Sequence, residues 1–390
     1  MVYLYKMKFR VISLFFVRTV LSFFAFISCK NDLKLNAPYK EVPSVYAVLN
    51  PQDRIQIIRV NKVFLGVGNA NVMAQVADSI NYPAGELTIT LNRFVNDNQV
   101  NAAPGKLTIT CRDSMVQASS GAFNSNQRVY VFSDDLHQGT RGQSNYHVSG
   151  DYVLTIKNNR TGNVFTSKAT AIDSISGNQG IKPLTIAPLY PYPAGTIPSE
   201  YVDYAANNGT VRFVPNEAQL YQLIIRMHFY DSLRNTSIPS KKIYNYIDYT
   251  FGNKNLQDVQ NLGIASYIVF SFRPTDVFGS AGVSLSHLNL NNDPLYLYGR
   301  KMYKIQFFIY STTQDYSDYL QFISPSLSIS QIKPLYSNFE NQAALGIFTF
   351  RARCVLTKEM STGFVSEFAY NSNTCSYRFF TSAFQLPGCN

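Results

Sequence analysis

Asp315 and Asp318 stand three residues apart, a spacing that on a helix puts two carboxylates on one face beside Tyr316 and Tyr319. Paired carboxylates are the minimum equipment of a glycoside hydrolase, one serving as acid and the other as base or nucleophile. Asp134-Asp135 offers a second pair. The competing account is a solvated helix face whose first-turn acid answers the helix dipole, and the residues favour it, since nothing else catalytic surrounds either pair. The four histidines, His137, His147, His228 and His287, are isolated in sequence, without the His-x-x-x-His spacing of a zinc helix. No Gly-x-Ser-x-Gly elbow supplies a nucleophile. Gly66-Val67-Gly68 lacks the third glycine of a dinucleotide loop and the lysine of a phosphate loop, so a turn needing free backbone explains it better. These absences describe a chain read as no enzyme, with no catalytic residue, no metal and no cofactor. Sugar binding by aromatic stacking stays open as a second reading, because tyrosine can stack, although the chain has no Trp.

The elements expected to hold these residues are mostly strands. Tyr and Phe number 27 and 28, with Asn and Ser between apolar runs, a composition suited to half-buried strands joined by turns. Leu87-Thr88-Ile89-Thr90-Leu91, Leu107-Thr108-Ile109-Thr110-Cys111 and Tyr152-Val153-Leu154-Thr155-Ile156 alternate with period two. Short strands at this spacing imply an immunoglobulin-like β-sandwich over 43–175. Prolines and glycines crowd 176–200, which reads as a connection. Longer apolar runs over 201–390 imply a larger β-rich, sandwich-like domain with one or two short helices, one of them at 313–323 behind Ser311/Thr312 and ahead of Pro325.

The first 28 residues carry Lys6, Lys8, Arg10 and Arg18 with no acid, then an apolar run too short to span a bilayer, which takes about 20 residues. Ser28-Cys29 resembles a bacterial lipoprotein processing site. Cleavage before Cys29 would leave a lipidated cysteine, a polar tether over 29–42, and an outer-membrane anchor; Lys30-Asn31-Asp32 does not fix which face the protein occupies. The net charge of +10 falls to about +6 without the leader's bases, and the remaining Lys and Arg form no stripe that would track nucleic acid. In an exported chain, Cys111, Cys354, Cys375 and Cys389 allow three pairings; the last three lie close together, so one local bridge is expected there, with Cys354 to Cys375 the preference. Asp78-Ser79-Ile80, Asp113-Ser114-Met115, Asp173-Ser174-Ile175 and Asp231-Ser232-Leu233 match the Asp-Ser-apolar acceptor for O-linked glycans on exported Bacteroidota proteins, making Ser79, Ser114, Ser174 and Ser232 candidate acceptors.

Late in the chain, Pro334-Leu335-Tyr336-Ser337-Asn338-Phe339-Glu340-Asn341, then Leu345-Gly346-Ile347-Phe348, resembles a segment of a large family of uncharacterised Bacteroidota outer-membrane lipoproteins carrying a domain of unknown function. Asp78-Ser79-Ile80-Asn81-Tyr82 and Gly150-Asp151-Tyr152 fit the same family. The resemblance implies a lipid-anchored accessory or binding module in the cell envelope whose partner is a protein such as a TonB-dependent receptor, with a glycan as the other candidate ligand. It brings no catalytic residues. Tyr336, Ser337, Asn338, Gly346 and Phe348 are expected to be structural, Asn338 centring a turn and Gly346 opening a buried strand.

Overall fold

In the computed structural model, residues 42–389 are described apart from 64–71, 73–74, 102–105, 118–125, 134–135, 138–147, 174–182, 188–200, 203–208, 214, 216–217, 235–241, 257–267, 289 and 324–334. The alternating segments of the first half form β1 (Pro43–Leu49), β2 (Gln56–Lys62), β3 (Leu87–Val95), β4 (Asn98–Val100), β5 (Thr108–Thr110), β6 (Arg112–Gln117), β7 (Asn126–Phe132), β8 (Asp151–Asn158) and β9 (Val164–Thr170), with a single helical turn, α1 (Ala77–Ile80), between β2 and β3. One sheet runs β1-β2-β7-β6. The other runs β4-β3-β8-β9, with β5 following β4 along the free edge of β3. In chain order this is the A-B-E-D and C′-C-F-G distribution of an immunoglobulin-type sandwich. Val45, Ala47 and Leu49 of one sheet meet Ile89, Leu91, Leu154 and Ile156 of the other in a closed core. Near the start of β8 the Tyr152 hydroxyl donates to the Leu136 carbonyl at 3.3 Å, tying β8 to the segment after β7.

The second half is also β-rich. It contains β10 (Pro183–Ala187), β11 (Tyr201–Val202), β12 (Gly209–Phe213), β13 (Leu220–Leu233), β14 (Ile243–Thr250), β15 (Lys254–Asn255), β16 (Ile268–Phe272), α2 (Pro274–His287), β17 (Leu297–Thr312), α3 (Gln314–Ile323), β18 (Leu345–Met360) and α4 (Thr362–Tyr370). The long strands pair in the order β14-β13-β17-β18, while β10-β12-β16 form a second, three-stranded sheet. Leu223, Ile225, Met227 and Phe229 from β13 share a core with Phe213, Phe270 and the inward face of α2. The Ser361 hydroxyl caps α4 by accepting from the Phe364 amide at 3.0 Å, and α4 then sets Phe364 and Phe368 edge-on against Phe278. Part of the stretch expected to be connection is a strand: Pro183 opens β10 at a sheet edge, where a missing amide costs nothing.

β18 joins the two halves. Leu345 to Phe350 pair in parallel with β1, and Arg351 to Lys358 pair antiparallel with β17, so a ten-stranded sheet crosses both cores. Phe339, Ala344, Phe348 and Phe350 complete the core of the first sandwich. The sandwich of 43–175 therefore takes its closing strand from the far end of the chain, which a left-to-right division into 43–175 and 201–390 does not contain. Gly346 makes the junction: its φ is +104°, and a Cβ there would stand 1.9 Å from the Val45 carbonyl oxygen.

The expected Cys354–Cys375 bridge is corrected. Cys375 pairs with Cys389, their Cα atoms 5.4 Å apart, while Cys354 is a free thiol buried opposite Ile309 in the sheet. Cys354 points into the core from the middle of a paired strand, whereas Cys375 begins a short 3₁₀ turn whose following segment curls back to meet it.

Candidate functional site

Alternation along β13, β14 and β17, broken by register shifts on β17, buries one face and leaves the other open. Outward from β13 stand Gln222, Arg226, His228 and Tyr230; β14 adds Tyr244, Tyr246 and Asp248, and β17 adds Lys304, Gln306, Phe308 and Tyr310. Cross-strand register sets Arg226 beside Asp248, His228 beside Tyr246 and Tyr230 beside Tyr244. Between His228↔Lys304 and Phe229↔Met302 the register shifts, and the extra residue is Tyr303. This bulge carries a further ring to the outer face, where Tyr303 lies 5.8 Å from His228, 5.9 Å from Tyr230 and 5.7 Å from Tyr244. A regular strand would have held only Lys304 here.

Polar groups lock the rings. Arg226 forms a two-pronged ion pair with Asp248 at 2.7 and 2.8 Å while its guanidinium lies 3.8 Å from the centre of Tyr246. The Lys242 ammonium sits 4.5 Å from the Tyr230 ring. His228 Nε2 shares a 2.7 Å hydrogen bond with Gln306 Oε1, and Gln306 donates in turn to the Thr357 hydroxyl at 3.0 Å. Burial, with Lys304 and Arg226 nearby, holds the His228 imidazole below its usual pKa despite that hydrogen bond, so it is neutral at pH 7. Burial raises Tyr303, with Tyr244 adding to the effect.

Farther along the same face, Arg351 lies 3.6 Å above Tyr310, donates to Gln222 Oε1 at 3.1 Å, and borders a shallow cleft of ≈ 140 Å³ with Thr312, Tyr316 and Leu320. Beyond it, Tyr46 of β1 meets Tyr319 of α3 at 6.0 Å, and Tyr336 meets Tyr319 and Phe322 at 5.7 and 5.6 Å. Tyr46 is pushed up to about 12, by burial first and by Tyr316 second. Tyr336 rises for the same leading reason, helped by Asp315 and Asp318. Neither Tyr46 nor Tyr336 ionises near neutrality, so both act as hydrogen-bond donors and ring surfaces.

Asp315 and Asp318 do not converge on an open space. Asp315 accepts from the Tyr336 hydroxyl and the Asn338 amide, both at 3.4 Å, while Asp318 accepts from Gln314 at 2.6 Å. Asp315 thus ties α3 to the segment at 336–338. That segment is structural in detail. Asn338 Nδ2 donates to the Phe348 carbonyl at 2.7 Å and Oδ1 accepts from the Phe348 amide at 3.0 Å, so one side chain imitates a neighbouring strand. The Ser337 hydroxyl donates to the Ala344 carbonyl at 2.6 Å and accepts from the Phe339 amide, and the Gly346 amide donates to the Tyr336 carbonyl.

His137 is buried and His287 is exposed on the last turn of α2. Among the described residues no three His, Cys, Asp or Glu side chains are placed to hold a metal, and no helix is long and apolar enough to cross a membrane. Ser79 lies in α1 beside exposed Asp78, and Ser114 on the edge strand β6 beside Asp113, which pairs with Arg128 at 2.6 Å. Ser232 differs: Asp231 is buried in an ion pair with Arg300, and both sit in a strand with a neighbour on each side. Cys29, Ser174, His147, Asp134-Asp135 and Gly66-Val67-Gly68 lie outside the described residues.

No family model matches the chain, and no curated protein matches it. Among solved structures the chain is similar to E. coli alpha-2-macroglobulin in its native conformation at 13% identity, over 70% of this chain and 15% of that one, with a TM-score of 0.19. So distant a likeness carries no argument about function.

Proposed function

We propose that this chain is a non-enzymatic accessory module of the cell envelope, anchored to the outer membrane through a lipid on Cys29, and that it docks a protein partner of the TonB-dependent receptor kind on the open face of β13, β14 and β17. The observation that carries the docking surface is the Tyr303 bulge, which departs from regular pairing to complete a cluster of Tyr230, Tyr244, Tyr303 and His228 on an otherwise solvated sheet face. Tyr and Arg dominate hot spots in protein interfaces, because they offer large, stiff contact areas with a polar end. The broad face suits a large partner better than a small metabolite, which needs a concave site around most of its surface. A glycan is the second reading. Against it, Tyr244 and Tyr303 meet at 78° and Arg226 and Lys242 lie over Tyr246 and Tyr230, so the rings form no coplanar platform. The anchor and the receptor rest on the lipoprotein-like leader and on the family resemblance of 334–348.

The test is co-purification from native envelopes of the tagged full-length protein and of a Tyr246→Ser/Lys304→Glu variant of equal thermal stability. The reading expects an outer-membrane protein to accompany the wild type and to be depleted at least about ten-fold with the variant, the loss of roughly one hot-spot contact. Equal recovery with both, or recovery of no envelope protein with either, would sink it.

A further inference from the structure

Below the docking face the sheet ends in a cluster of another kind. The turn ahead of β17 exposes Leu295 at 84%, with Tyr296 and Tyr298 beside it, and the C-terminal segment exposes Phe384 at 56%. These side chains are held in place. The fully buried Arg300 donates to Asp231 at 3.0 Å, to Asn292 and the Tyr377 carbonyl at 2.7 and 2.6 Å, and to the Asn291 carbonyl at 3.0 Å, tying the turn and the C-terminal segment to one guanidinium. The Phe380 amide then donates to the Arg300 carbonyl, and the Cys375–Cys389 bridge closes the segment. Phe379 points into the core, and Phe380 covers Gly299, where a Cβ would stand 2.6 Å from its ring.

Phe384 has a φ of +58°, which a bulky residue rarely adopts. It sits in a tight turn fixed by bonds from the Thr381 amide to the Gln385 carbonyl and from the Phe384 amide to the Thr381 carbonyl. The segment accepts this backbone and still shows the ring to solvent. Three cations border the exposed rings: Lys301 lies 4.1 Å from Phe384, Arg234 lies 5.4 Å from Tyr298, and Arg378 donates to the Tyr298 carbonyl at 3.3 Å. None of the three forms an ion pair with a carboxylate among the described residues.

We propose that this end of the sheet is a contact site for an anionic phospholipid surface, with Leu295, Tyr296, Tyr298 and Phe384 entering the headgroup boundary and Arg234, Lys301 and Arg378 meeting the lipid phosphates. Apolar and aromatic tips fringed by unpaired bases are the composition of interfacial binders. The cluster offers four exposed large side chains, far short of the roughly 800 Å² per partner that a stable protein interface buries. A free phosphate would use the bases and leave the rings in water. The contact does not require acylation of Cys29, and it is separate from protein docking on the face above.

Because the chain has no Trp, a single introduced tryptophan is a clean reporter. Full-length Phe384→Trp and, separately, Leu295→Trp are mixed with vesicles of phosphatidylglycerol and brominated phosphatidylcholine, with Tyr246→Trp as a reporter some 15–20 Å up the sheet. The expected result is bromine quenching at 384 and 295, little at 246, and a contact weakened roughly five-fold for each charge removed by Arg234→Gln and Lys301→Gln. No quenching at either tip position overturns the proposal. So does equal quenching at 246, or quenching indifferent both to the anionic lipid and to the two charge removals. Failure of protein docking would appear instead in co-purification, leaving this readout unaffected.

Discussion

Asn338 shows how one residue can stand in for a strand. Its amide exchanges two hydrogen bonds with the backbone of Phe348, so Asn338→Ala leaves a donor and an acceptor unpaired beside the core and is expected to cost about 3 kcal/mol in chemical denaturation. Gly346→Ala drives a methyl into the Val45 carbonyl oxygen and is expected to cost more than about 4 kcal/mol, or to abolish folding. The sequence marked both as structural positions, Asn338 as the centre of a turn and Gly346 as the start of a buried strand; what it could not display was that Asn338 bonds a strand ten residues on. Asp315 read in sequence as a solvated helix-face acid. Its partners Tyr336 and Asn338 are remote in sequence, so its role in tying α3 to that segment was hidden. His228 was dismissed as isolated, yet alternation with Arg226 and Tyr230 already placed it on one strand face. Its folded pKa lies below the unfolded value of about 6.5, so its contribution to stability is fully present above that pH and is lost as pH falls toward the folded pKa. An NMR titration should give a His228 midpoint below that of a model imidazole, and Lys304→Met should move it upward.

At the scale of elements, β13 and β17 are held together at one end by the buried Asp231–Arg300 pair. Burial raises the Asp231 pKa and lowers that of Arg300, each outweighing the attraction between them, so the pair fixes geometry more than it adds net stability. Removing one partner is different. Arg300→Met strands a buried carboxylate and unties Asn291, Asn292 and Tyr377, and should cost about 3–5 kcal/mol at pH 7. The acid's folded pKa is then raised further, so the folded state binds the extra proton and the deficit shrinks as pH is lowered toward the unfolded value of about 4; urea melts at pH 7 and pH 5 would show it. Among the acceptor triplets, the Asp231 beside Ser232 is buried in this pair, whereas Asp78 beside Ser79 and Asp113 beside Ser114 are exposed. The strands themselves were legible from alternation, and α3 from its 3/4 spacing. The bulge at Tyr303 was not, since Tyr303-Lys304-Ile305-Gln306-Phe307 alternates in sequence as if Tyr303 faced inward with Ile305, and only the partner strand shows that one residue is extra.

Across the whole molecule, β18 gives half its length to each core. A chain divided by composition into 43–175 and 201–390 should unfold in two steps, but shared β18 couples them: Leu91→Ala in the first core is expected to lower the melting of the second as well, seen calorimetrically as one shifted transition. The sandwich class was readable because its strands are short, regular and turn-bounded. Its completion by residues 339–350 was not, because parallel pairing between the ends of a chain leaves no local trace. The same ten-stranded sheet presents the outer face proposed for docking. The direct test replaces Tyr246 with a photo-crosslinking amino acid in the full-length protein, and Val116 on β6 in a second sample, each irradiated in native envelopes. Docking on the β13–β14–β17 face predicts one dominant cross-linked envelope protein from position 246 and none of that mass from 116. Cross-links of equal pattern from both positions, or none from 246, would contradict it.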